Sequence, residues 1–224
     1  MPLSRYYNNY ISSWNFIREK GLPLANGVDQ SFKNFVSSHC QENNSNIFFD
    51  YGCGIGQHIS YLREKSIKAV GCDISNVGID PSHNFDKDQR NERDEWFQSC
   101  DGMHIPFDNN FFSHAYSINC IDSMSWENAN AIIPEIYRVL DSKAFFYLDL
   151  ASNCHLEKDP MSFKESKEFE ILNNTFIQVC YFSELKISRL LDPLFRIISC
   201  KIEPGHDLYT NSKINRWHVI CQKN

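Results

Sequence analysis

Three alternate glycines stand directly behind a short apolar run in Ile47-Phe48-Phe49-Asp50-Tyr51-Gly52-Cys53-Gly54-Ile55-Gly56. Such spacing lets a chain turn sharply and approach a ligand with its backbone, while a helix starting just beyond offers its free N–H groups to the same point. Asp73 closes the next apolar run, Ala69 to Cys72, and lies 17 residues beyond Gly56. On an adjacent parallel strand its carboxylate faces the same crevice, where it suits two ribose hydroxyls. Turn and acid together describe a nucleoside site. Asp50, two residues before the first glycine, narrows the ligand: a carboxylate there repels a pyrophosphate but suits an ammonium or sulfonium group. The dinucleotide pattern GxGxxG fits imperfectly, because Gly56 stands fifth and Gln57 sixth. The reading therefore favours a cationic nucleoside, with a nicotinamide-dependent oxidoreductase as the alternative.

The elements that must hold these residues follow from periodicity. Strand, helix and strand over Ile47 to Asp73 make a βαβ unit, whose crossover implies a parallel sheet. Trp96–Asp101, Ser113–Asn119 and Ala144–Ala151 read as further strands. Between the last two, Ile132, Ile133, Ile136, Val139 and Leu140 mark one face of a helix from Glu127 to Leu140, with Pro134 expected in its first turn, where a missing N–H costs little. The stretch Asn76–Asp94 is expected to hold a short or irregular crossover helix. Ser152–Asn174 is polar and reads as a loop with a short helix over the sheet's edge. Beyond it come an extended Phe176–Tyr181, a helix over Ser183–Leu191, and strands over Phe195–Ile202 and Asn215–Gln222. Ahead of the sheet, helices are expected over Tyr6–Lys20 and Asp29–Cys40, broken by the Gly21 to Gly27 segment.

Composition bounds the function. The 224 residues carry 42% hydrophobic and 22% charged residues, suited to one compact unit. A net charge of −6 argues against a nucleic-acid partner. Nine cysteines, an odd number with no CxxC pair, fit neither a disulfide framework nor a zinc site, so no metal is expected. Buried thiols, no apolar run of membrane-span length and no apolar N-terminal stretch point to a reducing cytoplasm and no membrane partner. Oligomeric state is left open.

Several segments together resemble the class I S-adenosylmethionine-dependent methyltransferases. Asp50 to Gly56 resembles the family's first motif and Gly71-Cys72-Asp73-Ile74-Ser75 its second. Cys100-Asp101-Gly102-Met103-His104-Ile105-Pro106-Phe107 is similar to its third-strand segment, and Glu135 to Leu140 with Phe145 to Asp149 resembles its helix and fifth strand. Tyr181 to Leu185 and Trp217 to Lys223 resemble the late helix and last strand, so the likeness spans about Asn46 to Lys223. It implies an α/β, Rossmann-like doubly wound seven-stranded sheet, mostly parallel with an antiparallel last strand and helices on both faces. The implied cofactor is S-adenosyl-L-methionine. It would be held by Asp50, Tyr51, Gly52, Cys53, Gly54, Gly56, Asp73, Ile74, Asp101, Gly102, Met103 and Asn119, with Asp101 at the adenine amine and Met103 on the ring. No Asn-Pro-Pro-Tyr-like tetrapeptide follows the fourth strand, which argues against adenine or glutamine-amide acceptors.

The expected reaction is methyl transfer to a small-molecule, metabolite, sugar-like or natural-product acceptor by in-line displacement, a geometry in which alignment supplies much of the rate. An acceptor that must lose a proton needs a base. Asp122 and His155 follow the fourth and fifth strands and are the candidates; a helix-capping or loop carboxylate is the plainer reading of Asp122. His58 and His104 adjoin cofactor motifs and are read as structural. The expected organisation is an N-terminal helical cap or lid over residues 1–45, with Tyr6, Tyr10 and Trp14 against the acceptor, then the catalytic domain over 46–224 with a cap-like insertion around 152–174. Without an obvious base, an inactive cofactor-binding partner subunit is a further alternative.

Overall fold

The computed structural model describes residues 15, 27–39, 46–75, 97–100, 103–153, 166–172, 175–206 and 213–224. The elements are α1 (Gln30–His39), β1 (Ile47–Tyr51), α2 (Gln57–Glu64), β2 (Lys68–Asp73), β3 (Phe97–Ser99), β4 (Phe112–Ile118), a 3₁₀ turn (Ile121–Ser123), α3 (Trp126–Val139), β5 (Leu140–Ala151), β6 (Ser166–Leu172), β7 (Thr175–Cys180), α4 (Glu184–Leu191), β8 (Phe195–His206) and β9 (Lys213–Lys223). Seven strands form one sheet in the order β3-β2-β1-β4-β5-β9-β8. The pairs among β1 to β5 are parallel, and β9 runs antiparallel to both its neighbours. The expected antiparallel last strand is therefore present, and it is inserted between β5 and β8.

The pleat sends alternate residues to opposite faces, and each face finds its own helices. Phe48, Tyr116 and Tyr147 pack with Phe32, Phe35 and Val36 of α1 and with Ile59 and Leu62 of α2. Phe49, Ala115 and Phe146 pack with Ile132 and Ile136 of α3 and Ile187 and Leu190 of α4. Three of these four helices start at a side-chain cap, and α2 starts at the left-handed Gly56. The Asp29 carboxylate accepts the Phe32 N–H at 2.7 Å; Ser125 and Ser183 accept from Asn128 and Lys186 at 3.2 Å each.

Two expectations are corrected. Pro134 lies in the interior of α3, because the helix begins at Ser125, well upstream. It stands on the exposed side, so the carbonyl of Asn130 that it leaves without an N–H faces water, which limits the cost. The segment read as a loop with a short helix contains β6, which pairs antiparallel with β7 in a separate two-stranded sheet. Its Lys and Glu content hid a strand whose existence depends on the apolar partner that follows it. The crossover at Asn76–Asp94 and the Tyr6–Lys20 helix lie outside the described residues, Asn15 excepted.

Two histidines are built into the α1 face without charge. Burial lowers His58 to about 4, and it lowers His114, helped by nearby His39, to about 4. Between the ordinary imidazole value of about 6.5 and 4 the unfolded chain binds protons that the folded one refuses, so stability falls as pH falls through that window. His114→Phe should flatten this dependence, by about 1.4 kcal/mol per pH unit at most. Urea midpoints at pH 7 and pH 5 check it, and equal slopes for variant and wild type would contradict it.

Candidate cofactor and acceptor site

The glycine turn joins β1 to α2 at the carboxyl end of the sheet. Gly52, Gly54 and Gly56 all have positive φ, at 79°, 54° and 76°. Gly52 also lacks room: a Cβ there would lie 2.1 Å from the Cys120 sulfur. Gly56 is closed in the same way by the Phe97 ring, at 2.3 Å. The turn is fastened to β2 from below and from the side. Gly52 and Cys53 both donate to the Cys72 carbonyl, at 2.8 and 3.0 Å. The Asp73 carboxylate then takes the Gly54 N–H on Oδ2 and the Ser75 N–H on Oδ1, each at 2.8 Å. Asp73 is thus held rigidly by two amides, with lone pairs left on both oxygens for a ligand's hydroxyls.

Asp50, buried beside the turn, pairs in register with Tyr116 of β4. Burial pushes its carboxyl well above the usual range; the Tyr116 hydroxyl, close by but not in a well-formed hydrogen bond, eases that shift and the Asp73 charge adds to it. Among the described residues, Asp50 Oδ2, the Tyr116 hydroxyl, Gln57 Nε2 and His58 Nε2 are buried and lack a hydrogen-bond partner. Four such atoms around one turn are costly unless something completes them. A cationic group arriving beside Asp50 would favour its ionised form. Tyr116 is the neighbour of this turn that sequence reasoning missed, while Gln57 and His58 were noted beside the glycines and His58 was read as structural. Gln57 and His58 carried a signal, since they follow the last glycine on the first turn of α2, whereas only strand register reveals Tyr116.

The remaining candidates divide clearly. The Tyr51 ring packs in the α3-side core, leaving its backbone at the turn, and its carbonyl accepts from Ser117 Oγ at 3.0 Å. The Cys53 side chain packs under Gly71 and near Ile59. Ile74 is half-buried beside Asp73, and Met103 opens the segment after β3. That segment is pinned by α3: Arg138 donates to the Ile105 and Phe107 carbonyls at 2.7 Å each and bridges to Glu135, which accepts the Ile105 N–H at 3.1 Å. Asn119, at φ 54°, ends β4 and its carbonyl accepts from Ser123 Oγ at 3.0 Å. Asp101, Gly102, His155, Tyr6, Tyr10 and Trp14 lie outside the described residues.

Asp122 is placed by a buried ion network. Arg216 of β9 donates to Asp149 of β5 through Nε and to Asp122 Oδ2 through a terminal nitrogen, the latter at 2.8 Å. The Ala151 N–H also donates to Asp122 Oδ2, at 2.9 Å. Asp122 Oδ1 is buried and, among the described residues, without a partner. Burial raises the Asp122 carboxyl, against the pull of Arg216. One oxygen is therefore anchored and the other left over. The helix-capping reading is corrected: the carboxylate holds a strand end and an arginine, while Ser125 caps α3.

Residues 49–148 match the family model described as a methyltransferase domain. Residues 49–148 are thus a methyltransferase domain, set in a fold like that of the class I S-adenosylmethionine-dependent methyltransferases. Solved structures agree in fold. A SAM-dependent methyltransferase from Methanosarcina mazei aligns over 88% of this chain and 99% of its own, with TM-score 0.68 and 22% identity. One from Anabaena variabilis aligns over 100% and 97%, with TM-score 0.71 and 13% identity. The Burkholderia thailandensis 1,6-didemethyltoxoflavin-N1-methyltransferase, solved with 1,6-didemethyltoxoflavin and S-adenosylhomocysteine, aligns over 100% and 92%, with TM-score 0.65 and 13% identity. No curated protein sequence matches the chain. The methyltransferase assignment displaces the nicotinamide alternative, in line with the imperfect GxGxxG and the carboxyl at position 50.

Two substitutions probe the methyltransferase turn. Asp73→Ala removes the acceptor of two amides and, if the ribose sits where the sequence implies, of its hydroxyls, so cofactor affinity should fall by about 1 to 3 kcal/mol by calorimetry, with a drop in melting temperature. Undiminished affinity would mean the ribose lies elsewhere. Gly52→Ala must displace Cys120 at a positive φ, and it should destabilise the fold by more than about 1 kcal/mol in urea. A neutral result would contradict the close approach.

Proposed function

We propose that this methyltransferase acts on a small-molecule acceptor, with the chain's own N-terminal segment covering the site as a lid. The observation that carries the reading is a bond from that segment to the cofactor side of the sheet: Ser75 Oγ donates to Asn15 Oδ1 at 2.7 Å, two residues beyond the ribose-binding acid. A site crossed by its own chain closes around a metabolite more readily than around a macromolecule, and the net charge of −6 favours neither nucleic acid nor other polyanions. Tyr6, Tyr10 and Trp14 belong to the proposed lid, and His155, with the 152–174 region, to the facing wall. The N1-methyltransferase of similar fold, with its small heterocyclic ligand, supports an acceptor of that size.

The residues fit the cofactor. Asp73 would take the ribose, the amides of the turn its close flank, Asp50 and Tyr116 the cationic end, and Met103 with Asp101 and Gly102 the adenine side. When bound, S-adenosylmethionine supplies the sulfonium methyl that is displaced. The chain's own part is alignment and exclusion of water, with Asp122 Oδ1 accepting the proton that a hydroxyl or amine acceptor gives up. Arg216 and the Ala151 N–H fix the carboxylate by its other oxygen, so it can face an acceptor without swinging.

Among the described residues no helix is long and apolar enough to cross a membrane, and the seven described cysteines are free thiols. The proposed reducing, cytoplasmic setting rests on the cysteine usage alone.

The test is calorimetry with S-adenosylmethionine and S-adenosylhomocysteine, followed by screening amine, hydroxyl and heterocyclic acceptors for S-adenosylhomocysteine release. Binding with turnover on one class supports the reading; binding with none across the panel would favour the inactive-subunit alternative. Once an acceptor is in hand, Asp122→Asn should lower kcat by about 10²- to 10⁴-fold while cofactor affinity changes little. A kcat within twofold of wild type would remove Asp122 as the base.

A further inference from the structure

The methyltransferase chemistry leaves unused a pair of thiols beneath the cofactor turn. Cys72 is the penultimate residue of β2 and Cys100 follows β3, and their sulfurs lie 3.0 Å apart, with the Cys100 thiol donating to Cys72. The strand ends are themselves tied, since the Cys100 N–H donates to the Asp73 carbonyl at 3.2 Å. Cys72 is fully buried and Cys100 is 8% exposed. Of the other thiols nearby, Cys53 packs under Gly71 and Cys120 fills the space beside Gly52.

We propose that Cys72 and Cys100 form a reversible disulfide under peroxide, a modification site that links the redox state of the cell to the cofactor pocket. The two sulfurs need to close by only about 1 Å to reach the disulfide bond length of about 2.05 Å. The residue after each cysteine belongs to the proposed cofactor site: Asp73 directly follows Cys72, and Asp101 directly follows Cys100.

The chemistry balances with hydrogen peroxide as the oxidant. The Cys100 thiolate, the more accessible of the two, attacks one peroxide oxygen and breaks the O–O bond; hydroxide leaves and takes up a proton as water. Cys100 is then a sulfenic acid. The Cys72 sulfur, deprotonated as it attacks, bonds to the Cys100 sulfur and expels the hydroxyl, which leaves as a second water. In sum, two thiols and one peroxide give one disulfide and two waters. Burial, with the neighbouring thiols and Asp73, holds the Cys72 thiol well above its usual range, which assigns it the second step. The oxidation is also expected to be slow at neutral pH and faster when alkaline.

Drawing the sulfurs together pulls on Asp73, whose two oxygens hold Gly54 and Ser75 at 2.8 Å. The oxidised chain should therefore bind S-adenosylmethionine more weakly, by about tenfold, which is about 1.4 kcal/mol. This consequence rests on the cofactor reading above, whereas the disulfide itself does not, so the two can fail separately.

The experiment treats the full chain with hydrogen peroxide, alkylates the remaining thiols and digests with trypsin and a protease cutting before aspartate. The sequence then gives Ala69–Cys72 and Asp94–Cys100 as separate fragments, each with one cysteine. The expected product is these two fragments joined, short of two hydrogens and separated by dithiothreitol. Its appearance should track a fall in cofactor affinity that dithiothreitol restores and that Cys100→Ala does not show. Both fragments recovered alkylated, a bridge from Cys72 to Cys53, or only sulfinic acid at Cys100 would each overturn the proposal. A correct disulfide with unchanged affinity would overturn the coupling to the cofactor.

Discussion

The site depends on one short contact between neighbouring strands, the bond from the Gly54 N–H to the Asp73 carboxylate. It turns two unrelated requirements, a sharp backbone bend and an acid for hydroxyl groups, into one object. The glycines confer freedom that an unligated turn would spend on many conformations, and the carboxylate removes that freedom by holding one amide at 2.8 Å. Below it, the Cys72 carbonyl holds two further amides, so β2 fixes the whole bend. Cys120 and Phe97 then fill the space where side chains would otherwise stand. The adjacency of β1 and β2 in the sheet is what brings these parts together, and the parallel βαβ crossover secures it.

A second buried polar assembly governs the other side of the crevice. Arg216 stands between two carboxylates from different strands' ends, and desolvating three charges costs several kcal/mol that only well-placed hydrogen bonds recover. Here the arginine supplies a fork to Asp149 and Asp122, and the Ala151 amide adds another donor. Such a network is a poor source of stability compared with apolar packing, so its value lies in orientation. It commits Asp122 to one geometry while leaving an oxygen uncommitted. The apolar clusters on the two faces supply the stability that the polar assemblies do not.

The parts readable from the sequence were those whose physics is local. Alternate glycines behind Phe49, an acid at Asp73 and the Ile132 to Val139 face each state their requirement within a few residues. The fold class and the identity of the cofactor followed. Less legible were features created by pairing across the chain. Tyr116 becomes a neighbour of Asp50 only through strand register, and Arg216 meets Asp122 across 94 residues. The strand Ser166–Leu172 was hidden because its charged residues outweigh its apolar ones until β7 pairs with it. Pro134 misled because it was taken to mark a first turn, whereas the Ser125 cap starts the helix nine residues earlier and the helix accepts the proline in its interior.

The placement of β9 has a consequence for synthesis. The glycine turn and Asp73 come from β1, β2 and the helix between them, which leave the ribosome early and pair locally. Asp149 and Asp122, by contrast, wait for an arginine that is translated 67 and 94 residues after them. During that interval a nascent chain carries two carboxylates destined for burial and no cation to meet them, which opposes premature closure of the sheet beyond β5. Arrival of Arg216 removes that opposition as β9 slides in beside β5. The same charges that orient the finished site therefore disfavour burying its second half before β9 has been made.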